Sequence, residues 1–215
     1  MADVKLMPAI VEDKKTEKSG KEKAAQPKTR KKTADKWKKK IWYTVVAPEE
    51  FERREIGETV SEKPEMVVGR VINISGRDLA NQPKKQHVKI MFRVNNVSGN
   101  KAHTEAIGHF IKDDFIRRLV RRRSSKVMLV KLFNTKDGKP IKMKVVIVTE
   151  RKASGMQKAS VHKKAEELCK KFVAEVDSRK IIDELVFGNM PNKIYPELKK
   201  IVPIKRIEFA NSFFA

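Results

Sequence analysis

His103 and Glu105 stand two residues apart in a run that alternates like a strand, so both side chains fall on one face. An imidazole beside a carboxylate is raw material for general acid–base chemistry. The constellation stops there. None of the four histidines, His87, His103, His109 and His162, has a second histidine or a cysteine at metal-ligand spacing. Asp113 and Asp114 are adjacent on a predicted helix, where successive side chains diverge by roughly 100°, so their carboxylates do not converge. Gly69, Gly76 and Gly99 fit no phosphate-binding fingerprint, and no Gly-Lys-Ser/Thr follows a predicted strand. The one cysteine, Cys169, follows Leu168 on a predicted helix, where a small buried thiol is the expectation rather than a nucleophile. An exposed strand face is the simpler account of His103 and Glu105. The sequence therefore predicts no catalytic residues, no cofactor and no metal.

Basic residues carry the stronger chemical signal. Lys and Arg total 50 against 27 Asp and Glu, a formal net charge of +23. A folded domain repels itself at that charge, so a polyanionic partner is expected. The excess is clustered in four places. The first is the arm at 28–40, with Lys28, Arg30, Lys31, Lys32, Lys36, Lys38, Lys39 and Lys40 against the single acid Asp35. The second is Arg77, Lys84 and Lys85. The third is Arg121, Arg122, Arg123 and Lys126, more cations than a helix C-terminus needs to satisfy its dipole. The fourth is Lys142, Lys144, Arg151 and Lys152. Arginine forks grip phosphates bidentately and lysines act as point charges, and neutralised phosphates release counterions. Trp37 lies inside the lysine arm, where an indole can stack on a base. Trp42 opens the first predicted strand and is expected in the core. No RNP aromatic signature, KH-type Gly-x-x-Gly loop or zinc-finger spacing appears, so phosphate and shape recognition is favoured over reading of bases.

A membrane is the weaker polyanion. The longest compact apolar run, Val145-Val146-Ile147-Val148, falls far short of the ~20 residues that span a bilayer. The first ten residues lack the apolar core of a secretory signal. A single cysteine excludes an intrachain disulfide framework and makes an intracellular, reducing compartment the default.

The elements that must present these cations follow from periodicity. Residues 1–40 are too polar to offset their ordering entropy and are expected to be a basic arm, disordered when free. Order begins at 40–46, a β-rich run ended by Pro48, and 48–64 reads as a connector. Residues 66–74 read as a strand with Met66, Val68, Ile72 and Ile74 on one face, and 75–86 as a polar loop. Val88, Ile90, Phe92 and Val94 alternate cleanly through a further strand. Ser98-Gly99-Asn100 turns it into a partner over 101–107. Gly108 then introduces a helix over about 109–123, its stripe formed by Ile111, Phe115 and Leu119. A second hairpin joins 126–134 to 140–150 through Asp137-Gly138. Helices are predicted over 158–176, 178–187 and 191–201, with a final strand at 203–209. This is an α+β fold: a curved antiparallel sheet closing into a small β-barrel over 41–150, with flanking C-terminal helices and a returning strand over 151–215.

Three segments together resemble the S3Ae (eS1) family of archaeal and eukaryotic small-subunit ribosomal proteins. They are Asp35-Lys36-Trp37-Lys38-Lys39-Lys40-Ile41-Trp42-Tyr43, then Gly69-Arg70-Val71 with Ser75-Gly76-Arg77-Asp78-Leu79, and the run from Phe110 through Arg123. The resemblance covers about Lys31 to Phe214. It implies a structural constituent of the small subunit, on the platform near the mRNA exit site and the 3′ end of the small-subunit rRNA. It implies rRNA and neighbouring platform proteins as partners, mRNA near the exit as a further one, and no homo-oligomer. Ending at Ala215, the chain resembles the archaeal type. The alternatives are a dissociable translation or ribosome-assembly factor, and an RNA-modifying enzyme with a pocket around His103 and Glu105.

Overall fold

The computed structural model describes residues 36–188 and 190–214, so Lys28, Arg30, Lys31, Lys32 and the expected disorder of the arm before residue 36 lie outside the described residues. Eight strands make one mixed sheet: β1 (Ile41–Val46), β2 (Glu55–Ser61), β3 (Val71–Ser75), β4 (Val88–Ser98), β5 (Lys101–Ile111), β6 (Lys126–Asn134), β7 (Pro140–Thr149) and β8 (Ile204–Phe214). Among the described residues, five α-helices accompany them: α1 (Gly76–Ala80), α2 (Asp113–Leu119), α3 (Gly155–Glu175), α4 (Ile181–Val186) and α5 (Met190–Lys199).

β5 organises the sheet. Along one side it pairs antiparallel with β4 over its whole length, and β3 lies outside β4. Its other side is divided. Residues 101–103 pair parallel with β1, which carries β2, while 108–110 pair antiparallel with β8, followed by β7 and β6. The division needs Gly108: a Cβ there would collide with the Ser212 carbonyl of β8. The sequence reads Gly108 as a helix start, and the close approach of two backbones is its actual use.

The sheet does not close into the expected barrel. β2, β3 and β6 each have a single paired neighbour, so the ladder branches at β5 and ends in free edges. Those edges are managed in other ways. β3 is only five residues long, and β2 is broken from its partner's register at Val45/Val46. α3 packs against β6, where Lys131 and Glu166 form an ion pair at 3.2 Å.

Several predicted spans shift. The helix expected over 109–123 is only Asp113–Leu119, because 108–110 are held as strand by two ladders at once and Ile111 by β4. The connector at 48–64 contains β2, and the loop at 75–86 contains α1, started by the Ser75 hydroxyl accepting from the Arg77 N–H at 3.4 Å. β3 begins only at Val71. Before it, Pro64–Met66 form a 3-10 turn that buries Val67 and leaves Met66 and Val68 exposed, the reverse of the predicted face.

The main core lies between the β4–β8 region and the C-terminal helices. Val88, Ile90, Phe92 and Val94 are buried as their alternation predicts. α3 starts with a capping box in which Ser154 and Gln157 satisfy each other's backbone N–H. It buries Val161, Ala165, Cys169 and Val173, a stripe at four-residue spacing, with Leu168 and Phe172 at its margin. Burial pushes the Cys169 thiol up to about 12, so it stays protonated and inert. α4 buries Ile181, Ile182, Leu185 and Val186. A smaller cluster of Tyr43, Val45, Val67, Val94 and Ala102 secures β1 to β5.

Candidate nucleic-acid interface

Arg121, Arg122 and Arg123 form the exposed turn between α2 and β6. Arg123 takes the left-handed conformation at φ 69°, and the turn is pinned where the Arg121 N–H donates to Ser124 Oγ at 3.1 Å. Lys126 opens β6 beside it. Ser125 is buried between the two and binds the far end of β7: its N–H donates to Thr149 Oγ1 at 2.9 Å, and its own Oγ accepts from the Ala153 N–H at 3.1 Å. Thr149 Oγ1 in turn donates to the Arg151 carbonyl at 2.7 Å. This network holds Arg151 and Lys152 against the arginine turn, so two clusters 25 or more residues apart in sequence become one patch.

Arg77 stands on α1, and Lys84 and Lys85 on the Pro83–Lys85 3-10 turn packed against it. The packing is tight: a Cβ on Gly76 would lie 3.1 Å from the Lys85 carbonyl. His87 ties this cluster to α2, the helix that leads into the arginine turn. Its ring stacks on Phe115 of α2, with centroids 3.6 Å apart and planes within 14°, and the Arg206 guanidinium lies 5.4 Å from the same phenyl ring. Burial pushes the His87 imidazole down to about 4, and the positive charges of Arg206, Lys85 and Arg118 push the same way against a hydrogen bond to the Lys84 backbone. Cations from three separate segments, Lys85, Arg118 and Arg206, therefore converge on one uncharged imidazole. Sequence reading missed Arg118 and Arg206. Arg118 was visible on the polar side of the predicted helix, whereas Arg206 carries no local signal beyond its neighbour Lys205.

Lys142 and Lys144 lie opposite Leu132 and Val130 in the β6–β7 ladder. They share a sheet face with Lys126 but sit toward the other end of the hairpin, so the structure does not gather them with Arg151 and Lys152. The base of the arm stands elsewhere again. Lys36–Lys39 form a 3-10 turn ahead of β1, with the Lys40 ammonium 3.7 Å above the Trp37 ring centroid and Lys39 and Lys40 exposed. The side chains of Lys36 and Lys38 lie outside the description. β1 meets β5 at 101–103 and β8 meets it at 108–110, so roughly 20 Å of strand separates the two contacts. Trp42 is not in the core: it is 61% exposed, and Tyr43 and Val45, on the opposite parity, take the inward positions.

Among the described residues, none of Arg77, Lys84, Lys85, Arg121, Arg122, Arg123, Lys126, Arg151 and Lys152 makes an ion pair. Elsewhere the same chain does pair its lysines, as in Lys136 with Asp177 and Lys200 with Glu197. The patch is thus an uncompensated positive surface, suited chemically to an array of phosphates.

The acid–base alternative does not assemble. A groove of about 480 Å³ is lined by Glu105 with Glu49, Glu50, Arg93 and Arg179, but His103 is not part of it. The Glu105 carboxylate instead accepts from Asn95 Nδ2 at 2.7 Å. Among the described residues there is no group of three metal-ligating side chains, and no helix is long and apolar enough to cross a membrane.

Comparison with known proteins agrees with the resemblance. The model of the Ribosomal S3Ae family matches residues 28–212. The small ribosomal subunit protein eS1 of Methanobrevibacter smithii is 34% identical over 188 residues, 87% of this chain and 97% of that protein. The eS1 protein of Methanocaldococcus jannaschii is 37% identical over 176 residues, 82% of this chain and 79% of its own length. That of Methanothermobacter thermautotrophicus is 33% identical over 183 residues, covering 85% and 94%.

Proposed function

The chain belongs to the ribosomal S3Ae family, and from that premise we propose that it is a structural constituent of the small ribosomal subunit, binding rRNA by phosphate and shape contacts and performing no catalysis. One observation supports the mode of binding most directly. Nine exposed or half-buried cations from 77 to 152 lack an ion-pair partner among the described residues; hydrogen bonds through Ser125 and Thr149 tie the segment of Arg151 and Lys152 to the arginine turn, and His87, beside Lys85, stacks on the α2 helix that leads into that turn. Preorganised cations bind an RNA backbone without first paying to break ion pairs. With no base-reading module in the sequence, specificity comes from the spacing of this surface against folded rRNA.

The arm at 28–40 adds a second set of cations for rRNA phosphates. The resemblance supports a position on the subunit's platform, near the mRNA exit and the 3′ end of the rRNA, with platform proteins and mRNA as neighbours. In the cell this means the cytoplasmic ribosome. The test is gradient fractionation of a native lysate in high salt. A structural constituent co-migrates with the small subunit at constant stoichiometry. Release into the soluble fractions would make the chain a dissociable factor and overturn the proposal.

A further inference from the structure

The chain has two tryptophans, and both stand in water at the start of the described fold: Trp37 is 69% exposed and Trp42 61%. Each indole represents roughly 150–250 Å² of surface that folding ordinarily hides. Neither is stranded by disorder of its own backbone. Trp37 belongs to the Lys36–Lys39 turn, closed by the Lys40 N–H donating to the Trp37 carbonyl at 3.2 Å. Trp42 belongs to β1, its register fixed opposite Val60 while Tyr43 and Val45 anchor the strand in the smaller core. The rings are therefore held at fixed stations, largely open to water, with Lys40 over one face of Trp37.

The surroundings identify the guest. Residues 36–46 contain four lysines and no acid, and the Lys40 ammonium already sits over one face of Trp37. The nearest acid of the partner strand in register is Glu58, opposite Thr44, one outward position beyond Trp42. An aromatic surface beside lysines fits the two parts of a nucleotide: a base to stack and a phosphate to neutralise. A protein partner would bury the indoles in an apolar pocket, and the density of lysine here argues against it.

We infer that Trp37 and Trp42 form a stacking platform for unpaired nucleobases, so that this end of the molecule holds single-stranded RNA. It is a site separate from the backbone-binding patch around His87. The inference rests on the RNA-binding reading proposed above and adds the strandedness of the ligand. Paired bases are already stacked on each other and cannot present their faces to an indole, so a duplex satisfies the arginine patch but not the tryptophans.

Because no other tryptophan exists in the chain, its intrinsic fluorescence reports on this site alone. The experiment titrates the full chain, and the single-indole variants Trp37→Phe and Trp42→Phe, with an unstructured pyrimidine strand of about ten nucleotides, within the usual site size. A blunt duplex of equal length is titrated in parallel, and anisotropy of labelled RNA measures binding independently. The single strand is expected to quench emission from both single-indole variants, and the duplex to bind without quenching. Trp42→Ala should weaken binding of the single strand roughly ten-fold and leave the duplex affinity unchanged. Its side chain is outside the core, and a thermal melt matching the parent confirms that it folds. Binding of the single strand with no quenching overturns the inference while leaving the RNA reading intact. So does a blue shift seen only with small-subunit proteins, which would make this a protein-docking face. Failure of both RNAs to bind in the anisotropy assay would overturn the RNA reading and this inference with it.

Discussion

Acidification should destabilise the free protein through His109, and by a calculable amount. This side chain on β5 is 1% exposed. Its Nε2 lies 2.7 Å from the Phe209 carbonyl, which can only accept, so Nε2 carries the hydrogen. Nδ1 is then the acceptor for the Ser212 hydroxyl at 2.5 Å. The neutral ring is fully satisfied across the β5–β8 junction, and a second proton would bring a buried charge with no carboxylate to meet it. Burial pushes the imidazole down from its ordinary 6.5 to about 4, against the hydrogen bond to Phe209. The unfolded chain therefore takes up the proton first. His109's contribution to stability is complete above the ordinary value and drains as pH falls toward the folded one. Those two values give a loss of about 2 kcal/mol by about pH 5, and about 3 kcal/mol once both states are protonated. The assay is urea denaturation at about pH 7.5 and about pH 5, comparing the parent with His109→Gln, whose amide keeps a donor toward Phe209. The variant should be weaker at neutral pH yet lose about 2 kcal/mol less on acidification. His87 also titrates in this range, but it is present in both chains and cancels in the difference. Equal losses in parent and variant would refute the assignment of His109 as a buried neutral imidazole.

Four further outcomes are expected. Replacing Arg121, Arg122 and Arg123 together by Ala should lower the slope of log affinity against log salt by up to about 2.7, since each phosphate contact contributes ~0.9. The affinity loss would then be about 40-fold larger near 50 mM than near 200 mM salt, with an unchanged melt because all three are exposed. An unchanged slope in filter binding would assign the turn to a protein neighbour. Gly108→Ala should cost at least about 2 kcal/mol in urea denaturation, because the new methyl meets the backbone of β8. Gly155→Ala, where a Cβ meets nothing within 4 Å, should be neutral or slightly stabilising under the same assay. Ser154→Ala should remove the α3 cap for about 1 kcal/mol, visible as a shifted denaturation midpoint with an unchanged slope.

What sequence reveals here is what local periodicity encodes. β6 occupies Lys126–Asn134 as predicted, and β7 and the Asp137-Gly138 turn follow, because alternation and a turn residue at φ 74° are written in adjacent positions. β2 reads as a connector because an edge strand of sequence EIGETVS has little apolar alternation to show. Residues 108–111 mislead for a different reason. Ile111, Phe115 and Leu119 do have helical spacing, but β4 and β8 both claim the backbone before α2 begins, and no local pattern announces a pairing made 100 residues away. Barrel closure fails on the same ground. Counting strands says nothing of one strand dividing an edge between β1 and β8. Trp42 shows the limit of hydrophobicity as a guide to direction: in IWYTVV either parity could face inward, and Tyr43 with Val45 takes that side.

The interface divides in the same way, and the division bears on what it does. Runs such as Arg121 to Arg123 are visible because they are contiguous, but a run alone is only a solvated turn. The change comes from partners that sequence does not place beside it: Ser125 and Thr149 drawing in Arg151 and Lys152, and His87 bringing Lys85, Arg118 and Arg206 into one electrostatic neighbourhood. Crowding like charges works against the free fold. Arg206 is paired with Glu208, but Lys85 and Arg118 form no ion pair among the described residues, and the chain holds His87 neutral rather than adding another positive charge at the junction. A surface arranged this way is least stable alone and gains most when phosphates cover it. That is the energetic profile of a protein whose working state is inside a ribonucleoprotein rather than free in solution.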